Sequence, residues 1–137
     1  MTDDMIHKIL QRTRRIALVG ASANPARPSH GVMRFLLAKG YDVVPVNPGL
    51  AGQSLLGQQV VGHLADIEGD VDMVDVFRAS EHVPGVVDEA LVRFPDLGTI
   101  WMQLGVVHEG AADTARARGV DVIMDRCPAI EYPRLMA

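Results

Sequence analysis

The chain has 137 residues, with 13 Lys or Arg against 17 Asp or Glu and a formal charge of −4. That length suits one domain, and 48% hydrophobic against 22% charged residues is enough for a sizeable core and excludes a compositionally disordered chain. The mild acidity excludes a general electrostatic attraction to nucleic acid or an anionic membrane, so any anionic ligand must be held by local donors.

A single cysteine, Cys127, excludes an intrachain disulfide framework and a multi-cysteine zinc site, and fits a reducing cytoplasm. Residues 1–15 carry Asp3, Asp4, Lys8, Arg12, Arg14 and Arg15 and have no apolar core of the signal-peptide kind. Apolar stretches elsewhere are broken well short of the roughly 20 residues a membrane-spanning helix needs. The expectation is a soluble cytoplasmic protein.

Met5, Ile6, Ile9 and Leu10 fall on one helical face behind Thr2, Asp3 and Asp4, which predicts a leading helix of about three turns. Ile16-Ala17-Leu18-Val19 is a continuous apolar run ending at Gly20, the pattern of a strand buried on both faces. Val32, Met33, Leu36 and Leu37 then mark a helix that stops at Gly40, and Asp42-Val43-Val44-Pro45-Val46 a second strand. Residues 49–69 hold five glycines, with a minimal edge strand at Val60-Val61 and a helical turn near residues 64–67; the stretch reads as a crossover between two halves of a sheet. Residues 73–77 form the next strand, Ser80 caps the helix after it, and in that helix Val83, Val86, Val87, Ala90, Leu91 and Phe94 recur at steps of three and four. Residues 99–103 are a strand, residues 109–118 an Ala-rich helix closed by Gly119, and residues 120–124 the last strand.

Alternating strands and helices imply an α/β fold, a Rossmann-like doubly wound parallel sheet with helices on both faces in a single domain. In such sheets the ligand crevice lies beyond the carboxyl ends of the strands, where the strand order reverses. The residues to inspect are therefore 20–30, 47–50, 77–80, 103–108 and 125–128.

The first of these stretches, Gly20-Ala21-Ser22-Ala23-Asn24-Pro25 running through Ala26-Arg27-Pro28-Ser29-His30 into a helix, suits a diphosphate. Small residues let backbone amides approach, the helix N-terminus adds partial positive charge, Ser22, Asn24 and Ser29 add side-chain donors, and Arg27 adds a planar cation. A plain strand-to-helix turn capped by Ser29 is the bland alternative. Ser22 stands where a G-x-G-x-x-G fingerprint has its second glycine, and the second strand ends in Asn47-Pro48-Gly49 where dinucleotide enzymes place an acid, so NAD fits less well.

Val19-Gly20-Ala21-Ser22-Ala23-Asn24-Pro25, Arg27-Pro28-Ser29-His30, Val44-Pro45-Val46-Asn47-Pro48, Trp101-Met102-Gln103-Leu104-Gly105-Val106 and Met124-Asp125-Arg126-Cys127 occur in this order. Together they resemble the small stand-alone coenzyme A-binding proteins, which are similar to the N-terminal domain of the succinyl-CoA synthetase alpha subunit. The resemblance covers residues 16–135 and leaves residues 1–15 as a leading helix packed on a coenzyme-binding domain of residues 16–137. It implies that Gly20, Ala21 and Ser22, with Arg27, Ser29 and His30, hold the diphosphate of coenzyme A. It further implies that Val46, Asn47 and Pro48 lie against the adenosine and that Met102, Gln103 and Leu104 line the path of the pantetheine arm. Where the synthetase subunit has a lysine after its second strand this chain has Leu50, so the 3′-phosphate falls to Arg27, Arg78 or Arg126.

The plainer readings are specific as well. His30 helps cap its helix, His108 is a helix-start residue, Trp101 is core, and Cys127 is a small buried apolar residue or else a thiol near the coenzyme's own thiol, activated by Arg126 and able to form a reversible mixed disulfide. The expected function is binding of coenzyme A or an acyl-CoA, non-catalytic by itself or regulatory. The alternative is an enzyme acting on an acyl-CoA or NAD(P)-linked substrate through His30, His108 and Cys127. The expected partner is a small molecule, with no nucleic acid and no membrane; a protein partner or homo-oligomer leaves no readable mark.

Overall fold

A computed structural model describes residues 2–136. In chain order it contains α1 (Asp3–Arg12), β1 (Arg15–Val19), α2 (Pro28–Ala38), β2 (Asp42–Val46), a small hairpin of β3 (Ser54–Leu55) and β4 (Gln58–Gln59), β5 (Met73–Val76), α3 (Val83–Arg93), β6 (Thr99–Met102), α4 (Glu109–Ala117), β7 (Asp121–Ile123) and α5 (Pro128–Met136). Five strands make one parallel sheet in the order β2-β1-β5-β6-β7. The chain winds outward through β2, returns past β1 and winds the other way, so the order reverses between β1 and β5. This is the Rossmann-like α/β fold expected.

Strand alternation divides the core into two layers. Ala17, Val19, Val74, Val76, Ile100, Met102 and Val122 point toward α3 and α4. Ile16, Leu18, Met73, Trp101 and Ile123 point the other way, where Ile6, Ile9 and Leu10 of α1 and Val32, Met33 and Leu36 of α2 cover them. α1 is started by Thr2, whose Oγ1 accepts from the Met5 amide at 3.2 Å. It lies beside α5, and Arg134 of α5 donates to both Asp3 carboxylate oxygens at 2.8 and 2.9 Å.

Three expectations need correction. The crossover folds as the β3–β4 hairpin, and the edge contact to β2 is one parallel bridge between Val46 and Val61 rather than a strand at Val60-Val61. Its turn places both Leu56 (φ 49°) and Gly57 (φ 80°) in the left-handed region, and a leucine there hides the turn from sequence reading. Second, Ser80 does not cap α3: it opens a 3₁₀ turn over Ser80–His82, and its Oγ accepts from the Val107 amide at 3.0 Å, tying two loops together. Third, the last strand is followed by a helix, α5, that the apolar pattern does not announce because Pro128 and Pro133 interrupt it; Pro128 sits where a helix tolerates it, at the start.

Gly20 is constrained twice. Its φ is +93°, and a Cβ at that position would stand 2.9 Å from the Phe77 carbonyl oxygen, so β1 can turn beside β5 only with glycine there. Gly20→Ala is expected to destabilise the fold by about 2 kcal/mol, seen as a lower urea midpoint with unchanged m-value.

Asp75 is the unusual residue of the sheet. It is fully buried in β5 with Leu18 and Trp101 as register neighbours, and neither carboxylate oxygen has a hydrogen-bond partner among the described residues. Burial pushes its carboxyl well above the usual range, so the folded protein carries it neutral where the unfolded chain ionises it. A raised folded-state value means that stability is complete below about pH 3.8, the ordinary value, and falls as pH rises above it. Asp75→Asn is therefore expected to melt higher than wild type at pH 7, with the advantage shrinking as the two are compared in progressively more acid buffer; parallel melting curves across that range would contradict it.

Candidate functional site

The carboxyl ends of β1 and β2 are held together by a compact set of hydrogen bonds. The Gly20 and Ala21 amides both donate to the Val46 carbonyl, at 3.1 and 3.3 Å. Asn47 Nδ2 donates to the Ala21 carbonyl at 2.7 Å, and its Oδ1 accepts from the Gly49 amide at 2.8 Å. Asn47 thus uses its amide to join the two loops. It lines the site through its position rather than by offering free polar atoms.

The loop from Gly20 to α2 shapes itself. Ser22 Oγ accepts from the Asn24 amide at 3.1 Å, Asn24 Oδ1 accepts from the Ala26 amide at 3.0 Å, and the Asn24 carbonyl accepts from the Arg27 amide at 3.0 Å. These bonds use the side-chain oxygens expected to face a ligand, and leave the Ser22 and Ala23 amides without a protein acceptor among the described residues. Ser29 does not cap α2. Arg27 occupies the N-cap position without a side-chain bond, Pro28 follows, and Ser29 is buried inside the first turn. The positive end of α2 is therefore uncapped beside the loop.

Two cavities open here. The larger, about 810 Å³, has Gly20, Ala21, Ser22, Asn24, Arg27, Ser29, Asn47, Arg78, Gln103 and Leu104 in its wall, all of them expected from sequence. The smaller, about 420 Å³, contains the expected Val46 and Pro48. Gly20, Asn47, Gly49 and Arg78 line both and form a waist between them. Two expected residues line neither. His30 is 6% exposed in the first turn of α2, and Met102 is fully buried in the layer under α3 and α4 because it is the last inward-facing position of β6.

Phe77, Ala79 and Val106 fall in the stretches that the sequence marks for inspection but carry no binding role in that reading; they are wall residues of the larger cavity. His63 and Glu89 in the smaller cavity gave no signal. They come from the crossover and the middle of α3, where no motif marks them. Cys127 is buried as expected of a small apolar residue, and it also lines the larger cavity.

The charges are arranged unevenly. Arg126, one of the phosphate candidates, has its Nε 3.4 Å from Glu131 Oε1 and lines neither cavity. Arg27 and Arg78 are exposed and make no ion pair among the described residues. His108 is the N-cap of α4, its Nδ1 accepting from the Ala111 amide at 3.0 Å, and it stands outside both cavities. Among the described residues no group of three or more His, Cys, Asp or Glu side chains is placed to hold a metal ion, and no helix is long and apolar enough to cross a membrane.

Comparison with known proteins gives a consistent picture. Residues 14–133 match the family described as CoA binding domain. The chain is 43% identical over 127 residues to the uncharacterized protein YneT of Bacillus subtilis strain 168, covering 93% of this chain and 91% of that protein. A solved structure from Thermus thermophilus, cell-free ID.343, superimposes with a TM-score of 0.92 at 36% identity, over 98% of this chain and 99% of the other. A hypothetical protein from Pyrococcus horikoshii OT3 does so with a TM-score of 0.92 at 34% identity, over 100% and 94%. A strand-to-helix loop with free amides, a waist between two cavities and a matching family pattern over nearly the whole chain lead to one assignment: this chain belongs to the CoA binding domain family.

Proposed function

We propose that the protein binds coenzyme A or an acyl-CoA across the two cavities, with the diphosphate at their shared waist, and catalyses no turnover by itself. The observation that carries this reading is the waist itself. Arg78 stands in it, unpaired, and next to it in the wall of the larger cavity are Ser22 and Ala23 with free amides, the uncapped start of α2 and the unpaired Arg27. An acidic chain that leaves these donors without carboxylate partners is built for an external anion.

The residues also fit the rest of the molecule. Val46 and Pro48 of the smaller cavity offer an apolar surface to the adenosine, and Gln103 and Leu104 of the larger one accompany the pantetheine arm. Arg78, which lines both cavities, is the favoured partner of the 3′-phosphate, since Arg126 is engaged with Glu131. Cys127 has no histidine beside it in the larger cavity's wall, which favours binding over nucleophilic catalysis. The free cysteine suits a reducing cytoplasm as the working compartment.

Calorimetry against coenzyme A, 3′-dephospho-coenzyme A and ADP tests the reading. Wild type is expected to bind coenzyme A more tightly than the dephospho form, and Arg78→Ala to remove most of that preference. Arg27→Ala and Arg78→Ala are each expected to weaken coenzyme A binding about tenfold or more, the scale of one charge-assisted hydrogen bond. No heat and no thermal shift with any of the three ligands would sink the proposal.

A further inference from the structure

Cys127 and Gln103 sit in the wall of the larger cavity and take no part in the binding of phosphate or adenosine. Cys127 is a free thiol, 6% exposed. Gln103 is 5% exposed, and its Oε1 has no hydrogen-bond partner in the protein. A buried acceptor left open in a cavity wall is costly unless something donates to it, and the amide N–H groups of a pantetheine arm are donors of the right kind.

The backbone that carries the thiol is held firmly. Its own carbonyl accepts from the Ile130 and Glu131 amides at 3.0 Å each, in the first turn of α5. The preceding carbonyl, of Arg126, accepts from the indole of the fully buried Trp101 at 2.9 Å. Cys127 lines the larger cavity only, whereas the residues of the waist line both. A ligand anchored at the waist by its phosphates and running its arm along Gln103 therefore carries its terminal sulfur into the compartment that contains Cys127.

We infer that Cys127 is a thiol–disulfide exchange site for the disulfide form of the ligand, an inference that rests on the coenzyme A reading above. The Cys127 thiol gives its proton to solvent, and Sγ attacks the nearer sulfur of coenzyme A disulfide. The old S–S bond breaks as the bond to Cys127 forms, and one coenzyme A leaves as a thiolate that takes up a proton. The disulfide itself brings the oxidising equivalent, so no other oxidant is needed. The product is a protein–coenzyme A mixed disulfide that free thiol reverses. Exchange requires the thiolate and an aligned sulfur; because the proton is lost to solvent, no side chain of the wall has to act as its base.

The test exposes the full-length protein to coenzyme A disulfide or glutathione disulfide and follows intact mass and the Cys127 peptide. One coenzyme A adduct on Cys127 is expected, removed by dithiothreitol and absent in Cys127→Ser. It should form on the order of 100-fold faster than the glutathione adduct, because anchoring makes the reaction effectively intramolecular. Excess ADP, which carries no thiol, should slow the first reaction and leave the second alone. Gln103→Met should likewise slow only the first, which keeps the idea testable if Cys127→Ser folds poorly. Equal rates with the two disulfides, or no adduct on a protein that binds reduced coenzyme A by calorimetry, overturns the exchange site alone. Absence of binding to reduced coenzyme A overturns both this inference and the reading beneath it.

Discussion

The Val46 carbonyl, accepting from both the Gly20 and Ala21 amides, is the contact on which the site depends. It ends β1 and β2 at the same point and sends their loops out together. The geometry requires the positive φ of Gly20 and the absence of a Cβ against Phe77, so the sharp turn beside β5 and the clamp onto β2 are one constraint. Asn47 repeats the clamp from the other side with its side chain. Once these bonds are made, the start of α2 stands beside the place where the strand order reverses and walls the larger cavity, while the crossover and α3 wall the smaller one on the other side of the Gly20 and Asn47 loops.

The charge distribution follows the same plan. With a total of −4, a strongly anionic ligand is held only if particular cations are kept free of carboxylates. Several other arginines are occupied: Arg12 with Asp121 and Arg15 with Asp42 at the amino ends of the strands, Arg134 with Asp3 between α5 and α1; Arg14, Arg34 and Arg118 are exposed and unpaired among the described residues but line neither cavity. The Arg134 hydrogen bonds hold Asp3 below its ordinary range. Exposed pairs of this sort add little stability each, and their larger consequence is that the larger cavity has no carboxylate in its wall; the one in the smaller cavity, Glu89, is engaged by the Leu64 amide at 2.9 Å, and Arg27 and Arg78 make no ion pair among the described residues.

Much of this was legible from sequence because it rests on local rules. Val19-Gly20 marks a strand that stops abruptly, Pro28 a helix start, Gly40 and Gly119 helix ends, and the position of a residue just after a strand correctly selected most of the cavity wall. The failures are those where tertiary structure overrides a local signal. Leu56 adopts a conformation that its side chain disfavours because the β3–β4 hairpin imposes it, and Ser80 binds a distant amide instead of its own helix. His30 and Met102 belong to matching motifs but face into the protein, since a motif records which residues recur and not which way each one points.

The unsatisfied polar groups show where the fold departs from its own stability. Apart from Arg15, whose Nε is ion-paired with Asp42, three residues hold buried side-chain atoms without partners among the described residues: His30, Asp75 and Gln103, from the first turn of α2, the second half of β5 and just after β6. Those positions converge on the carboxyl end of the sheet, whereas the opposite end is closed by direct bonds such as those of Asp72 to the Arg14 and Arg15 amides, both 2.9 Å. Each open group costs roughly 1–3 kcal/mol if nothing bonds it. Of the three, only Gln103 lines a cavity; His30 and Asp75 lie behind the walls. A bound molecule can therefore stand against the Gln103 side chain alone, and the cost of the other two stays with the fold, which makes Asp75 a penalty of the core and Gln103 a feature of the site.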